Sequence, residues 1–446
     1  MNMRKKIAII GSGISGLAAA HFLKNKTDVT LFEKNSYFGG HANSVDVRLL
    51  NQKNQEETFP VDTGFLVFNE RTYPGLIQLF KDLQVETAAS DMSFSVQSDV
   101  SWMKRTLEWS GSDLNTVFAQ RRNIFNLKFW LLLKEILRFN RLTTKYVKES
   151  LLNKGHENDL LTLEAYLKKY EFGEVFQEGY LLPMLACIWS CELKTMLSYP
   201  IKSLAMFCHN HGLLQVLNRP QWFTVLGGSR NYVKKITDSI IDKRLDTEII
   251  KIDRKWSNNE LKVYVHTKDG VEEFDAAIMA CHAPQALALL QQPTQEETSI
   301  LGAIKTQPNT AILHTDESVM PSIKSAWAAW NFENLAVSGS SPNGGVCLHY
   351  WINKLQPLPF QQNVFVSLNE KRTIDKEKIL KIIQYHHPVL DDVAVRAQKE
   401  IHKISGLTKI WYAGAWLGSG FHEDGFQAGK MAASDLLHQL GFEDNV

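Results

Sequence analysis

What this 446-residue chain lacks narrows its class before any motif is read. It has no charge excess, with 49 Lys and Arg against 48 Asp and Glu, so it offers no basic face of the kind nucleic acid requires, and nucleic acid is not an expected partner. It is poor in cysteine: Cys187, Cys191, Cys208, Cys281 and Cys347 are odd in number and scattered among apolar neighbours, which argues against a disulfide framework and fits a reducing compartment. Cys187 and Cys191 have no companion Cys or His pair at zinc spacing, so no metal is expected. No run approaches the roughly 18 apolar residues of a membrane span. Arg4, Lys5 and Lys6 lead straight into a strand with no signal-peptide core, and the expected location is the cytoplasm. There is no internal repeat. A chain this long outgrows a single core, which predicts two domains and room for a large cofactor.

What is present is concentrated in the first forty residues. An apolar strand, Ile7 to Ile10, runs into Gly11-Ser12-Gly13-Ile14-Ser15-Gly16, where a helix begins. In such a dinucleotide grip the first glycine permits the tight turn, the second lets the backbone approach a pyrophosphate, and the third lets helix and strand pack closely. Free N–H groups at the helix start face the negative charge. A second strand, Val29 to Phe32, ends in Glu33, at the offset of about 20 residues where an acid takes ribose hydroxyls.

The other nucleotide-binding signals are far away in sequence. A middle stretch carries a strand and turn at Thr224 to Ser229, a helix from Tyr232 to Ile241, a strand from Thr247 to Ile252, a hairpin of Leu261 to His266 with Val271 to Phe274, and a strand from Ala276 to Ala280. The last forty residues pair a strand, Ile410 to Ala413, with a helix from about Gly425 to Leu440. This predicts one discontinuous domain, residues 1–75, 220–296 and 405–446, with 76–219 and 297–404 building a second lobe and the substrate lying between the two.

Gly39-Gly40 makes the pattern specific. Together with Gly11 to Gly16 and Glu33-Lys34, it resembles the FAD-binding opening of the amine oxidase and phytoene desaturase superfamily. That resemblance implies an α/β protein with a Rossmann-like FAD-binding domain of amine oxidase type and a second, α+β substrate-binding domain. It implies FAD held by Gly11, Gly13, Ile14, Ser15, Gly16, Glu33, Lys34, Gly39 and Gly40. His41, directly after the doublet, either contacts the pyrophosphate or flavin or is an ordinary hydrogen-bonded loop histidine. Ile249 matches the strand whose backbone pairs with adenine, and Ala280 ends the strand that follows in the superfamily pattern. Gly414, Gly425 and Phe426 match the closing flavin segment, where the last helix points its N-terminus at the pyrimidine carbonyl. Two positions depart from the pattern: Ala415 follows Gly414 where an acid is common, and Tyr37 stands where an arginine is usual.

A closer resemblance covers nearly the whole chain. Val61 to Asn69, Ser90 to Val96, Cys187 to Cys191, Arg219 to Trp222, Val225 to Ser229 and Tyr350 to Gln356 are similar to a flavoprotein group associated in bacteria with cyclopropane fatty-acyl-phospholipid synthases, and fused to them in plants. The resemblance implies dehydrogenation of a lipid acyl chain. A flavin amine oxidase for a small amine or polyamine, and a non-catalytic flavoprotein partner of a lipid methyltransferase, are the alternatives.

The second lobe is apolar and aromatic. Phe125 to Phe139 form a helical stretch, and Arg121 to Lys148 contain eight basic residues against Glu135 alone, which fits either a core helix with a solvated basic face or an interfacial helix on anionic lipid. Hydride removal from a C–C bond leaves a proton for a base to take. Candidates are His209, His211, His349, His422 and Glu423, with His349, His422 and Glu423 favoured because their segments are expected beside the flavin. Trp327, Trp330, Tyr350, Trp351 and Trp416 are either pocket lining or core.

Overall fold

The computed structural model describes residues 4–152, 161–189, 196–215, 219–335, 347–370 and 372–442. Ser190 and Cys191, in one of the segments of the closer resemblance, lie outside the described residues.

Five parallel strands form the first layer: β1 (Lys6–Ile10), β2 (Asp28–Phe32), β3 (Asp242–Arg244), β4 (Ala276–Met279) and β5 (Ile410–Tyr412), in the spatial order β3-β2-β1-β4-β5. Ile7 pairs with Val29 on one side and Ala276 on the other, and Ala277 pairs with Ile410, so three distant stretches of chain meet in one sheet. A central parallel strand is covered on both faces, and Ile7, Ala8, Ile9 and Ile10 are all buried. Helices α1 (Ile14–Leu23), α2 (Pro74–Asp82), α3 (Leu127–Leu152), α4 (Ile201–Asn210), α5 (Arg230–Thr237), α6 (Asp392–Lys399) and α7 (His422–Gln439) matter for the site. The α7 helix begins three residues earlier than the glycine pattern predicts, because Asp424 accepts from the Phe421 N–H and caps the turn ahead of Gly425.

The second layer is a seven-stranded mixed sheet in the order 379–389, 305–314, 365–368, 347–351, 330–334, 94–98 and 107–110. Its pairs are antiparallel except where Trp330–Asn334 runs parallel to Phe94–Ser98. A three-stranded sheet joins Phe68–Asn69 and Thr87–Ser90 through Trp222–Val225. The main core is continuous between the layers, running from Ile7 and Leu17 through Phe65 and Phe80 to Phe332 and Val366.

Buried Asp62 ties these parts together. Its carboxylate accepts from Ser44 Oγ at 2.5 Å, Ser229 Oγ at 2.7 Å, the Ser229 N–H at 2.9 Å and Gln356 Nε2 at 2.8 Å. Burial pushes its pKa up to about 6, and these bonds, all donated to it, favour the ionised form.

Candidate functional site

The glycine loop is built as its spacing predicts. Gly11 turns with φ +100°, a Cβ on Gly11 would lie 2.7 Å from the Ala280 carbonyl oxygen, and one on Gly16 would lie 1.9 Å from the Gly11 carbonyl oxygen. Gly13 differs: among the described residues nothing lies within 4 Å of where its Cβ would be, so open space fronts the start of α1. Gly40 stacks on Gly13, and a Cβ there would meet the Gly13 Cα at 3.1 Å. From the other side, α7 packs so tightly on α1 that a Cβ on Gly425 would meet Ile14, and one on Gly429 the Ser15 carbonyl oxygen at 2.1 Å. Phe426 is buried against Phe22.

Glu33 is buried and does structural work as well. Oε2 accepts from the Ser12 N–H at 3.0 Å and Ser12 Oγ at 2.6 Å, and Oε1 accepts from the Asn35 N–H at 2.9 Å. A carboxylate has about four acceptor positions, so about one remains for a ribose hydroxyl. The Thr247 N–H donates to the Glu33 carbonyl at 2.9 Å, which brings buried Ile249 beside it. Lys34 is exposed, and its charge reaches Cys281 and His282. Gly414 packs under Trp416, whose indole N–H donates to the Cys281 carbonyl at 3.0 Å.

Around this loop the fold gathers histidines that sequence reading did not connect. The His41 ring stacks on Tyr385 at 4.7 Å and lies 5.2 Å from His387 and 6.4 Å from His282, with His386 6.3 Å from His282. Burial holds His41 well below its usual pKa and brings His282 and His387 down to about 4, with neighbouring histidines adding to each shift. Among the described residues, His41 Nε2 is buried without a hydrogen-bond partner. An orphaned polar atom beside an open Gly13 is what a cleft shaped around a polar ligand leaves when described alone, and these residues fit FAD: the N-terminus of α1 and the Gly39–His41 turn for the pyrophosphate, Glu33 and Ile249 for the adenosine, and the first turn of α7 for the flavin.

A cavity of about 810 Å³ opens beside that first turn. Its apolar wall is Tyr73, Met206, Phe207 and Phe421; its cations are Arg71, Lys202, Arg396 and Lys399; its carboxylates are Asp392, Glu423 and Asp424. The carboxylates are committed elsewhere. Glu423 accepts from the Gly75 and Leu76 N–H groups, both at 2.9 Å, and from Gln427, capping α2. Asp392 pairs with Arg396 at 2.8 Å. Asp424 caps Phe421, and burial pushes its pKa up to about 6.

His211 also lines this cavity, stacked on Phe207 at 3.8 Å and on Trp222 at 6.0 Å. Its Nδ1 lies 3.0 Å from the Phe207 carbonyl, which can only accept, so Nδ1 carries the hydrogen and Nε2 holds a lone pair. Burial brings its pKa to about 4, leaving the ring neutral near pH 7.

The favoured bases are placed differently from expectation. His349 is fully buried in the seven-stranded sheet: Nδ1 bonds Ser367 Oγ at 2.7 Å, and Nε2 lies 3.4 Å from Glu333 and 3.5 Å from Cys347 Sγ. Ser367 in turn bonds His314, and Arg372 pairs with Glu333. Among the described residues, none of these partners comes from the glycine loop or α7, because alternation along Cys347–Trp351 puts His349 on the sheet face away from the main core. His422 stands at the start of α7 but is packed there, stacked on Phe65 at 3.8 Å and bonded to Tyr232 Oη at 2.5 Å; burial brings its pKa to about 3. Glu423 reaches the cavity with both oxygens occupied. Trp416 is core, and Trp327 packs with Trp351 behind the sheet. The cavity's cations come from three separate segments, with Arg396 and Lys399 sharing α6, so no local pattern announced them.

Comparison with known proteins fits this geometry. Residues 14–362 match the family model described as flavin containing amine oxidoreductase. A 1-hydroxycarotenoid 3,4-desaturase of Flavobacterium sp. (strain P99-3) is 30% identical over 173 residues, covering 37% of this chain and 33% of the relative, so the match spans a third of that protein's length. Among solved structures, a CLA-producing fatty acid isomerase from P. acnes superposes with a TM-score of 0.65 at 15% identity, covering 98% of this chain and 99% of that one. Cyclohexylamine oxidase from Brevibacterium oxydans IH-35A gives 0.66 at 15% identity, with 98% and 100% covered. No described helix is long and apolar enough to cross a membrane. With a match over residues 14–362, the fold shared with these structures and a fitting nucleotide cleft, the chain belongs to the flavin containing amine oxidoreductase family and is an FAD-dependent oxidoreductase.

Proposed function

We propose that this oxidoreductase dehydrogenates a hydrophobic acyl chain that ends in an anionic head group, a fatty carboxylate or a phospholipid. The observation that carries this reading is the charge of the cavity: four cations face an apolar wall, while the three carboxylates already cap helices or pair with Arg396. An ammonium substrate would meet Arg71 and Lys399, neither of which has a carboxylate within ion-pair distance among the described residues. An anionic head group would be attracted, and its chain would lie along Met206, Phe207 and Phe421.

Bound FAD supplies a two-electron acceptor. Oxidising a C–C bond to C=C also releases a proton, which an apolar substrate cannot hold. His211 Nε2, with its lone pair and with its ring fixed by Phe207 and Trp222, takes that proton. Removing such a base slows the chemical step by about 10²- to 10⁴-fold.

Anaerobic mixing tests the reading. An unsaturated or methyl-branched phospholipid, or the free acid, is expected to bleach the flavin absorbance of the holoprotein, and putrescine or cyclohexylamine is not. His211→Gln should slow bleaching with FAD retained, and Arg71→Glu should raise the lipid concentration needed for half-maximal rate. Rapid bleaching by an amine, with none by any lipid, would reassign the substrate class.

A further inference from the structure

Among the described residues, one surface of the second lobe is left without a partner. Leu114, Phe125 and Leu127 are 78%, 89% and 85% exposed, and Trp130, Leu131 and Leu137 are about half exposed. They lie on the short helix Leu114–Val117, the turn Arg121–Phe125 and the outer stripe of α3. Of the exposed positions of α3, residues 127, 130, 131, 134, 137, 141, 145 and 148 follow the spacing of three and four residues and so share one face over about 32 Å, with exposed Lys128 at its flank. The opposite face, Phe129, Leu132, Phe139, Thr143 and Val147, is already buried, so the outer apolar residues are not needed for the core.

Charge says what would cover this face. Among the described residues, Arg122, Lys128, Lys134, Arg141 and Lys148 have no carboxylate within ion-pair distance. The one acid of the first half, Glu135, is neutralised at 2.6 Å by Arg138, which turns back over the Phe172 ring. Trp130 donates its indole N–H to the Ile124 carbonyl at 2.8 Å, so its ring can leave water without stranding a donor. Large apolar side chains beside unneutralised cations complement an acyl layer under negative head groups. We infer that the face formed by Leu114, Phe125, Leu127, Trp130 and Leu131 with Arg122, Lys128 and Lys134 docks on an anionic membrane surface. This inference rests on the surface alone and stands or falls apart from the substrate reading. Packing of α3 on α4, whose residues Lys202, Met206 and Phe207 line the cavity, sets the cavity one helix away from the bilayer.

Co-sedimentation of the holoprotein with vesicles checks it. Wild type should pellet with phosphatidylcholine containing phosphatidylglycerol, not with phosphatidylcholine alone, and added salt should weaken binding. Each basic group near such a surface is worth about fivefold in affinity, so the triple variant Arg122→Glu, Lys128→Glu, Lys134→Glu should lose roughly a hundredfold or more. The pair Phe125→Ser, Leu127→Ser should also release the protein while FAD content and melting temperature stay unchanged, and reversal of the exposed Lys53 and Lys81 should have little effect. Equal pelleting with both vesicle types, failure of wild type to pellet, or retention by the triple variant would overturn the inference. So would a wild-type dimer that Phe125→Ser, Leu127→Ser converts to monomer, since the face would then be a contact between copies.

Discussion

Gly13 and Gly16 stand three residues apart and make opposite demands. Gly16 faces backbone, so Gly16→Ala forces a Cβ into the Gly11 carbonyl and should destabilise the fold by about 1–3 kcal/mol or more. Gly13 faces open space with φ −63°, a value any residue adopts, so Gly13→Val should leave the apoprotein's melting temperature nearly unchanged yet weaken FAD binding at least about tenfold. Thermal melts and FAD titration of the two variants separate these effects; a Gly13→Val protein that keeps FAD at wild-type affinity would remove that residue from the cradle. The sequence shows both glycines equally well. What it cannot show is that His41 meets His282 and His387 from segments more than a hundred residues away, since no local period links them.

At the scale of elements, the first turn of α7 illustrates where legibility ended. Its glycines, and the expectation that it lies beside the cofactor, follow from pattern, but the direction of each side chain depends on what packs there: Phe65 and Tyr232 for His422, the start of α2 for Glu423. His422→Ala should therefore cost about 2–4 kcal/mol, since it removes a buried ring and strands the Tyr232 hydroxyl. Urea unfolding measures that loss, and an unchanged midpoint with a collapsed bleaching rate would restore His422 as a base. His349 failed as a candidate for a related reason. Alternation along a strand fixes that neighbours point oppositely, but only the packed sheet decides which face meets the other lobe.

Across the whole molecule, buried histidines give stability a sign in acid. Burial lowers His211 to about 4 and His314 and His422 to about 3, against an ordinary value of 6.5. The unfolded chain then binds protons that the fold does not, so the stability these three provide is whole above pH 6.5 and declines as pH falls toward 4 and 3. Asp62 and Asp424, raised by burial to about 6, act the other way and lose their contribution as pH rises through that value, but they are two against these three together with His282 and His387, which burial also brings to about 4. The apoprotein's melting temperature should drop between about pH 7 and pH 5; a rise would contradict this balance. The parallel sheet and its cofactor were legible because glycine spacing and apolar strands are local signals. The second lobe's mixed sheet was not, because its strands alternate weakly and pair across long loops.

The parallel sheet draws β1 and β2 from the start of the chain, β4 from its middle and β5 from near its end, and α7 closes onto α1 only after all of them. During synthesis the glycine loop therefore emerges long before the surfaces that complete its cleft. A ribosome-bound chain halted at residue 404 holds the loop yet lacks both β5 and α7, leaving the edge of β4 uncovered and open to association with other chains. The cleft is thus complete only late in synthesis, and FAD bound to the finished chain adds to its stability by mass action.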